Sequence, residues 1–585
     1  MDISKDSKKK ERNTKEDVLV KLKNLFKDKR TFLKRLLVSI PASLAFIVTF
    51  IIAGPFEMFF ANMSYFNFTT GDFALYILGL AAILLVLTTI ATTVLKGKIF
   101  DYIFSFVFGL AICGYVQGNL LNINLGALDG TPIAWNQYKV HSMINLVIWL
   151  MVLLIPYIVH YFSKKIWTKT VKFVSILLIG MQVISLVFSA ADAKPIPHGN
   201  AYFASENMFN LSADKNVVVF ILDYYDMEYI DSILQEDPDY LKPLSGFTYY
   251  KNMVGAYTRT YPAVNYLLTG KRTRFDIPYE QYQNESNNNS TFLKDIKANG
   301  YKTRLYIPAS ETIGSVGKLY ETVDNIKFLD SESERNIDSP GISKGLLYLS
   351  AYKHMPHTLK PNFWMYTGDF EEYAQKSEQD TSTVAVKPND IKFFDQLKHQ
   401  KLKNSESQNC FTFYHMRGAH SPYVIDEFGK HDSGHDTDVI SQAKGSLYIV
   451  YQYMQQMKDL GMYKDSTIII TADHGIFYKT LKKPANPIFF MKPAGKDNET
   501  LTYSNAPVSH EDFHATVIKA VGGDYKKYGT PIDEIAEDAV RDRYLWMTEG
   551  NGTVKIYKVS GDANDFSNWS IEEEFKAKYP FYKPK

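Results

Sequence analysis

The sequence predicts a five-helix membrane unit followed by an α/β domain on its outer side. Three observations carry that prediction. Five apolar stretches, each close to the roughly 20 residues that cross a hydrocarbon core, fall before residue 192. Beyond them, short β-branched runs alternate with helical patterns and turn clusters, as they do in α/β domains. Three of those runs deliver Asp or His at their C-terminal ends, where open α/β sheets place their chemistry.

Taken in order, residues 1–35 hold thirteen Lys/Arg against six Asp/Glu and no apolar run, which reads as a basic cytoplasmic tail near anionic lipid. The predicted spans are 36–57, 73–95, 99–120, 142–162 and 171–191, making 36–192 a five-span transmembrane domain. Lys96 and Lys98 follow the second span, and Lys164, Lys165, Lys169 and Lys172 follow the fourth. The loops 58–72 and 121–141 carry a single basic residue, Lys139. The positive-inside rule then gives an odd number of crossings and sets everything after about 192 outside. Buried helices of a soluble protein would need polar faces that these five segments lack. Ala191-Asp192-Ala193 is an A-x-A pattern that signal peptidases read, so release after Ala193 stands beside the reading of 193–215 as a plain linker.

Net charge is only +2, so nothing global points to nucleic acid. Two cysteines, Cys113 and Cys410, make neither a disulfide framework nor a thiolate metal cluster.

The outer region is predicted as a catalytic domain over 216–540 with a C-terminal subdomain over 541–585, where Val554 to Val559 alternates as a strand. The run Val217 to Leu222 ends at Asp223; Phe411 to Tyr414 leads into His415 and His420; Thr467 to Thr471 leads to Asp473-His474-Gly475. Asp offers a hard oxygen and His a borderline nitrogen, so together they suit a divalent metal. An Asp-His-Gly turn that merely caps a strand would explain that tripeptide by itself; three such strand ends together favour catalysis. Between the first two strands, Thr260 can cap a helix that has Pro262 in its first turn and Gly270 at its close. A hydroxyl there faces the positive end of the helix dipole, where phosphate is favoured. Its alcohol pKa demands a metal or a base before it can act as a nucleophile.

Asp223, Thr260 with Pro262 and Leu267-Leu268-Thr269-Gly270, His420 before Ser421-Pro422-Tyr423, and Asp473-His474-Gly475 together resemble the alkaline phosphatase/sulfatase superfamily. Thr-x-Pro-x-x-x-x-Leu-Leu-Thr-Gly is similar to the sulfatase signature Cys-x-Pro-Ser-Arg-x-x-Leu-Leu-Thr-Gly, with Thr260 in place of the Cys that sulfatases convert to formylglycine. Five spans before a Thr-nucleophile domain resemble lipoteichoic acid synthases and lipid A phosphoethanolamine transferases. The implied fold class is a five-helix transmembrane domain followed by an α/β alkaline-phosphatase-like (sulfatase-like) extracytoplasmic domain.

The resemblance implies that Asp223, Thr260, Asp473 and His474 hold one divalent metal ion, manganese or zinc ahead of magnesium or calcium. It implies that Thr260 is the nucleophile and that His420 meets the phosphoryl oxygens or the leaving group. His415, Arg272 and His510 follow as substrate-binding candidates, His510 from a Ser-His-x-Asp segment that a structural helix start explains equally well. Lys271, Arg272 and Arg274 could meet an anionic head group, though at an exposed loop solvated charge explains all three better. Asp223 stands where the transferases use Glu, Tyr224 where sulfatases have a second Asp, and Met416 where two-metal phosphodiesterases have Asp, which argues for a single ion. The implied activity is transfer of a phospholipid head group, phosphatidylglycerol favoured, through a phospho-Thr intermediate onto an envelope polysaccharide or glycolipid at a bacterial cell membrane. Phosphoethanolamine transfer, hydrolysis of phosphate or sulfate esters, and a non-catalytic glycan-binding module remain the alternatives.

Overall fold

A computed structural model describes residues 30–580 except 64–65, 67, 127, 129–132, 194–200, 308–317, 329–335, 376–389, 433–436, 477–479 and 498. The predicted tail lies almost wholly outside the described residues, as does most of the first half of the predicted linker. The chain forms two compact units: Met1–Ile196 with Ile337–Ala374, and Pro197–Asn336 with Gln375–Lys585.

The first unit carries five helices of membrane length and apolarity, Phe32–Ala61, Thr70–Val94, Gly97–Leu121, Trp135–Phe162 and Lys164–Asp192; four enclose a predicted span, and Thr70–Val94 covers all but the last residue of 73–95. Polar caps start three of them: the Thr31 hydroxyl accepts from Lys34 N, Thr69 and Asp72 form a capping box, and Ser163 accepts from Ile166 N. Leu75, Ile83, Leu87 and Ile90 point outward, as hydrocarbon solvent permits. Polar groups are kept between helices, where Gln117 Oε1 accepts from Asn145 Nδ2 (2.9 Å) and Trp149 Nε1 (2.8 Å).

One stretch of the predicted catalytic domain does not belong to it. The helix Ser339–His354 and the turns that follow pack on the membrane helices. Ile342, Leu346, Leu349 and Phe370 join Phe59, Phe66, Phe68, Phe73 and Ile77 in one apolar cluster. Close approach is possible at Gly54 and Gly118, where a Cβ would fall 1.9 Å from Ser350 Oγ and 2.6 Å from His354 Cδ2. Lys353 Nζ donates to Glu57 Oε2 at 2.6 Å, and Asn122 Nδ2 donates to the Lys353 carbonyl at 3.0 Å. The contacts at Glu57, Gly118, Asn122 and Asn145 lie at the helix ends opposite Lys96, Lys98 and Lys164.

The second unit is built on a mixed sheet of seven strands. In chain order these are β1 (Asn216–Leu222), β2 (Thr248–Tyr250), β3 (Tyr301–Tyr306), β4 (Asn409–Met416), β5 (Ser466–Thr471), β6 (Phe489–Lys492) and β7 (Thr502–Ser504). Their spatial order is β7-β2-β6-β5-β1-β4-β3. The central strand β1 runs parallel to β4 and β5, and every one of its residues is buried, as its unbroken apolar run requires. Ile221 pairs with His415 on one side and with Thr471 on the other, so the three chemistry-bearing strand ends meet.

Residues 542–576 form an antiparallel meander, Asp542–Thr548, Thr553–Ser560 and Trp569–Lys576. Its first strand continues onto the segment before Thr260: Trp546 N donates to the Ala256 carbonyl (3.0 Å), and Thr258 N donates to the Trp546 carbonyl (3.3 Å). The C-terminal sheet thus steadies the approach to the helix that starts at Thr260.

Candidate active site

Asp223 leaves the end of β1 fully buried, with backbone bonds on both sides: its N–H donates to the Met416 carbonyl (3.1 Å) and its carbonyl accepts from Ala419 N (2.9 Å). Asp473 follows β5. Its Oδ1 accepts from Tyr224 N (3.2 Å) and His474 N (2.9 Å), which leaves Oδ2 on the side of His474 Nε2, 3.6 Å away. His474 Nδ1 lies 2.7 Å from the Gly475 carbonyl, which can only accept. That nitrogen therefore carries the proton, and Nε2 presents a lone pair. Nε2 stands 3.8 Å from Asp223 Oδ1 and 3.4 Å from Thr260 Oγ1.

Asp223, Asp473 and His474 are all buried, and one ligand atom from each lies within 4.8 Å of the others. Two buried carboxylates side by side repel each other and demand a cation. Carboxylate oxygens with an imidazole nitrogen are a donor set for a divalent metal, and Thr260 adds an alcohol oxygen at its edge.

Thr260 is the first residue of the helix Thr260–Thr269, with Arg259 in the cap position predicted for Thr260. The helix closes at Gly270 (φ 69°), as predicted, with Gly270 N donating to the Tyr266 carbonyl at 2.7 Å.

The remaining predicted residues separate. His415 is fully buried with Nε2 3.9 Å from Asp223 Oδ2, so it stands behind that carboxylate. His420 is tied at Nδ1 to the Ser421 carbonyl (2.5 Å), and its ring meets Tyr224 edge-on at 5.8 Å; Tyr224 meets the His474 ring at 5.6 Å. Arg272 is not presented to a ligand. Its fork donates to Glu511 Oε1 (2.6 Å) and the Ala256 carbonyl (3.0 Å). Its plane lies over Tyr266, Tyr257 and Trp546 at 4.5, 5.3 and 5.5 Å. Arg274 pairs with Asp276 and Glu285 at the surface, as solvated charge should.

His510 is fully buried, accepting from Ala256 N at Nδ1 (3.2 Å) and facing Thr471 Oγ1 with Nε2 (3.4 Å). Burial, helped by the Arg272 charge, pushes it down to about 3, so it is a neutral strut and no contact for substrate.

Two buried acids that no motif announced hold the site loops. Asp226 Oδ1 accepts from Glu228 N and Oδ2 from Ile476 N, each at 2.9 Å, fixing the turn after His474. Asp390 accepts from Arg417 N (2.8 Å) and Gly418 N (3.2 Å), fixing the turn before His420. Burial raises both carboxyls to about 6 against those stabilising bonds. Glycines let the turns close in: a Cβ on Gly418 would lie 2.5 Å from Asp223 N, and one on Gly475 would lie 2.4 Å from Asp226 Oδ2. Asp226 caps the helix Met227–Glu236, a signal that could have found it, whereas Asp390 left no sequence signal.

A parallel-centred α/β sheet with a metal-type cluster and a hydroxyl at a helix N-terminus defines an enzyme domain of the alkaline phosphatase/sulfatase superfamily. The model of the sulfatase family matches residues 215–523, more than half of the chain, and the chain belongs to that family. No curated protein matches it. Among solved structures it is similar to an alkaline phosphatase superfamily protein from Vibrio parahaemolyticus, at 15% identity over 64% of this chain and 85% of that one, with TM-score 0.37. It is also similar to the lipoteichoic acid synthase LtaP from Listeria monocytogenes, at 12% identity over 65% and 89%, with TM-score 0.33. A third is the C-terminal periplasmic domain of EcEptC from Escherichia coli, at 13% identity over 66% and 97%, with TM-score 0.31. Likeness of this degree says nothing about substrate.

Proposed function

We propose that this chain is a membrane-anchored phosphotransferase that moves a phospholipid head group, phosphoglycerol from phosphatidylglycerol, onto a hydroxyl of an envelope glycan or glycolipid. The observation that carries the reading is the placement of Thr260 Oγ1, at a helix N-terminus and 3.4 Å from His474 Nε2, where sulfatases need a modified Cys. Sulfate-ester chemistry through formylglycine is closed to a threonine; phosphoryl transfer through an alcohol oxygen is open to it.

Asp223, Asp473, His474 and Thr260 would hold one divalent cation, which supplies positive charge for the deprotonated alcohol and for the phosphoryl oxygens. Thr260 Oγ loses its proton to solvent and attacks phosphorus. The new O–P bond forms as the bond to diacylglycerol breaks, and the His420 imidazolium protonates the departing alkoxide. In the second half, His420 takes the proton of the acceptor hydroxyl, whose oxygen attacks phosphorus and releases Thr260. The N–H groups of Thr260 and Tyr261, at the start of the helix Thr260–Thr269, would favour the phosphoryl oxygens in both halves.

Membrane spans bring the nucleophile to a donor that resides in the bilayer. The tract 337–374 seats at the helix ends opposite the basic loops, which under the positive-inside rule supports an outer catalytic unit.

The test is the mass of the full-length chain, and of its Thr260 peptide, after incubation with manganese and phosphatidylglycerol or phosphatidylethanolamine. A glycerophosphate adduct absent from Thr260→Ala is expected. A phosphoethanolamine adduct alone would replace the donor. No adduct, with ester cleavage surviving in Thr260→Ala, would overturn the mechanism in favour of a direct hydrolase.

A further inference from the structure

A second group of polar side chains lies within the membrane unit. It is built where the turn His357–Phe363 meets the start of the span Trp135–Phe162. Lys360 is 2% exposed, and its ammonium donates to the carbonyls of Tyr352 and Lys353. Capping a helix end in this way explains two of its three donors. No carboxylate pairs with it among the described residues; Glu57 is taken by the neighbouring Lys353. A buried cation without a counter-charge is costly, and burial pushes this one down to about 8.

Three more polar atoms here are buried without a hydrogen-bond partner: His357 Nε2, His141 Nε2 and Tyr352 Oη. His357 is 2% exposed and meets the His141 ring at 4.9 Å, and the Lys360 ammonium stands 4.9 Å from the Tyr352 ring. His357 Nδ1 lies 2.8 Å from Ser142 Oγ. Turning the Ser142 hydroxyl from the Tyr138 carbonyl onto that nitrogen leaves the His357 proton on Nε2, as a donor. Trp135 and Tyr138, half-buried, pack around the His357 ring at 5.9 and 5.7 Å. Such residues mark the membrane–water boundary, the depth of lipid phosphates.

One cation, two imidazoles and a phenol, each able to offer an N–H or O–H, match one kind of ligand. We propose that Lys360, His357, His141 and Tyr352 bind a phosphate-bearing anion, the phosphodiester of an anionic phospholipid head group. The site is made by the membrane unit alone and does not depend on the catalytic reading.

The test uses the full-length chain in uncharged detergent, in the Thr260→Ala background so that no lipid is consumed. Native mass spectrometry compares retained phosphatidylglycerol with phosphatidylcholine, with and without excess inorganic phosphate. Retention of phosphatidylglycerol over phosphatidylcholine is expected. It should fall at least tenfold in Lys360→Met and several-fold in His141→Gln and Tyr352→Phe, two variants that leave the helix cap in place. Equal retention of both lipids, or unchanged retention in all three variants, would overturn the proposal. Displacement by inorganic phosphate would overturn the lipid as occupant and assign the site to the free anion.

Discussion

Replacing Gly418 by Ala should disable the site without removing any of its chemical groups. Gly418 holds φ 59°, a left-handed conformation that costs an alanine roughly 1–2 kcal/mol. The added Cβ would lie 2.5 Å from Asp223 N and Leu222 C and 2.6 Å from Asp223 O, all backbone. Ordinary contact begins at 3.4 Å, so the two segments must part by about 0.9 Å. Two hydrogen bonds resist that movement, Ala419 N to Asp223 O and Asp223 N to Met416 O. Weakening both adds about 1 kcal/mol each, for a total near 3–4 kcal/mol. Because Asp223 itself shifts, a displacement of this size should cost about 100-fold in the rate of adduct formation at Thr260. Manganese affinity, followed by electron paramagnetic resonance, should fall with it. Gly461→Ala is the control: φ is 73°, with nothing within 4 Å of its Cβ, so only the backbone cost remains. A Gly418→Ala protein that matches Gly461→Ala in melting temperature, metal affinity and rate would refute the claim that this contact places Asp223.

Removing divalent cations by chelation should lower the melting temperature of the wild-type chain and leave Asp223→Asn less sensitive, since the variant lacks one of two buried negative charges; equal shifts in differential scanning fluorimetry would count against the cluster as a metal site. His510 and His514 are pushed by burial down to about 3 and about 4, below the roughly 6.5 of an unfolded histidine, so the unfolded chain takes up more protons and stability is lost as pH falls from about 6.5 through those values. His514→Gln, whose amide can still donate to the Tyr266 carbonyl, should flatten that acid limb in melting temperature against pH, and an unchanged slope would exclude His514 as its source.

What the sequence disclosed was whatever rests on local periodicity. Unbroken β-branched runs identify strands buried on both faces, and the residue after such a strand emerges at the edge of the sheet, so Asp223, Asp473 and His474 were legible as a group. Thr260 was legible through Pro262 and Gly270, one position away from its actual place in the helix. Direction was not legible. Arg272 sits twelve residues past Thr260, yet Trp546 and Glu511 come from elsewhere in the chain to enclose it, and no local pattern reports that. Asp390 matters only through two backbone N–H groups nearly thirty residues away. The tract 337–374 was assigned to the catalytic domain because its apolar face reads the same whether a sheet or membrane helices cover it; Phe370 among Phe66 and Phe68 decides the matter in three dimensions.

Tyr224 shows how this site tolerates a local conflict. A bulky residue at φ 62° is strained, and glycine would adopt the same turn at no such cost. Two interactions offset the strain here: its N–H donates to Asp473 Oδ1, and its ring packs edge-on against both His420 and His474. The first joins the ends of β1 and β5 through the Asp473 carboxylate, so the strained turn leans on Asp473. The second sets the spacing between the imidazole of the cluster and the imidazole assigned to the leaving group. Glycine would ease the backbone and release both rings; an acid would bring a further negative charge into a pocket that already buries two. An aromatic side chain at this position adds no carboxylate to the cluster and makes its geometry depend on a single turn.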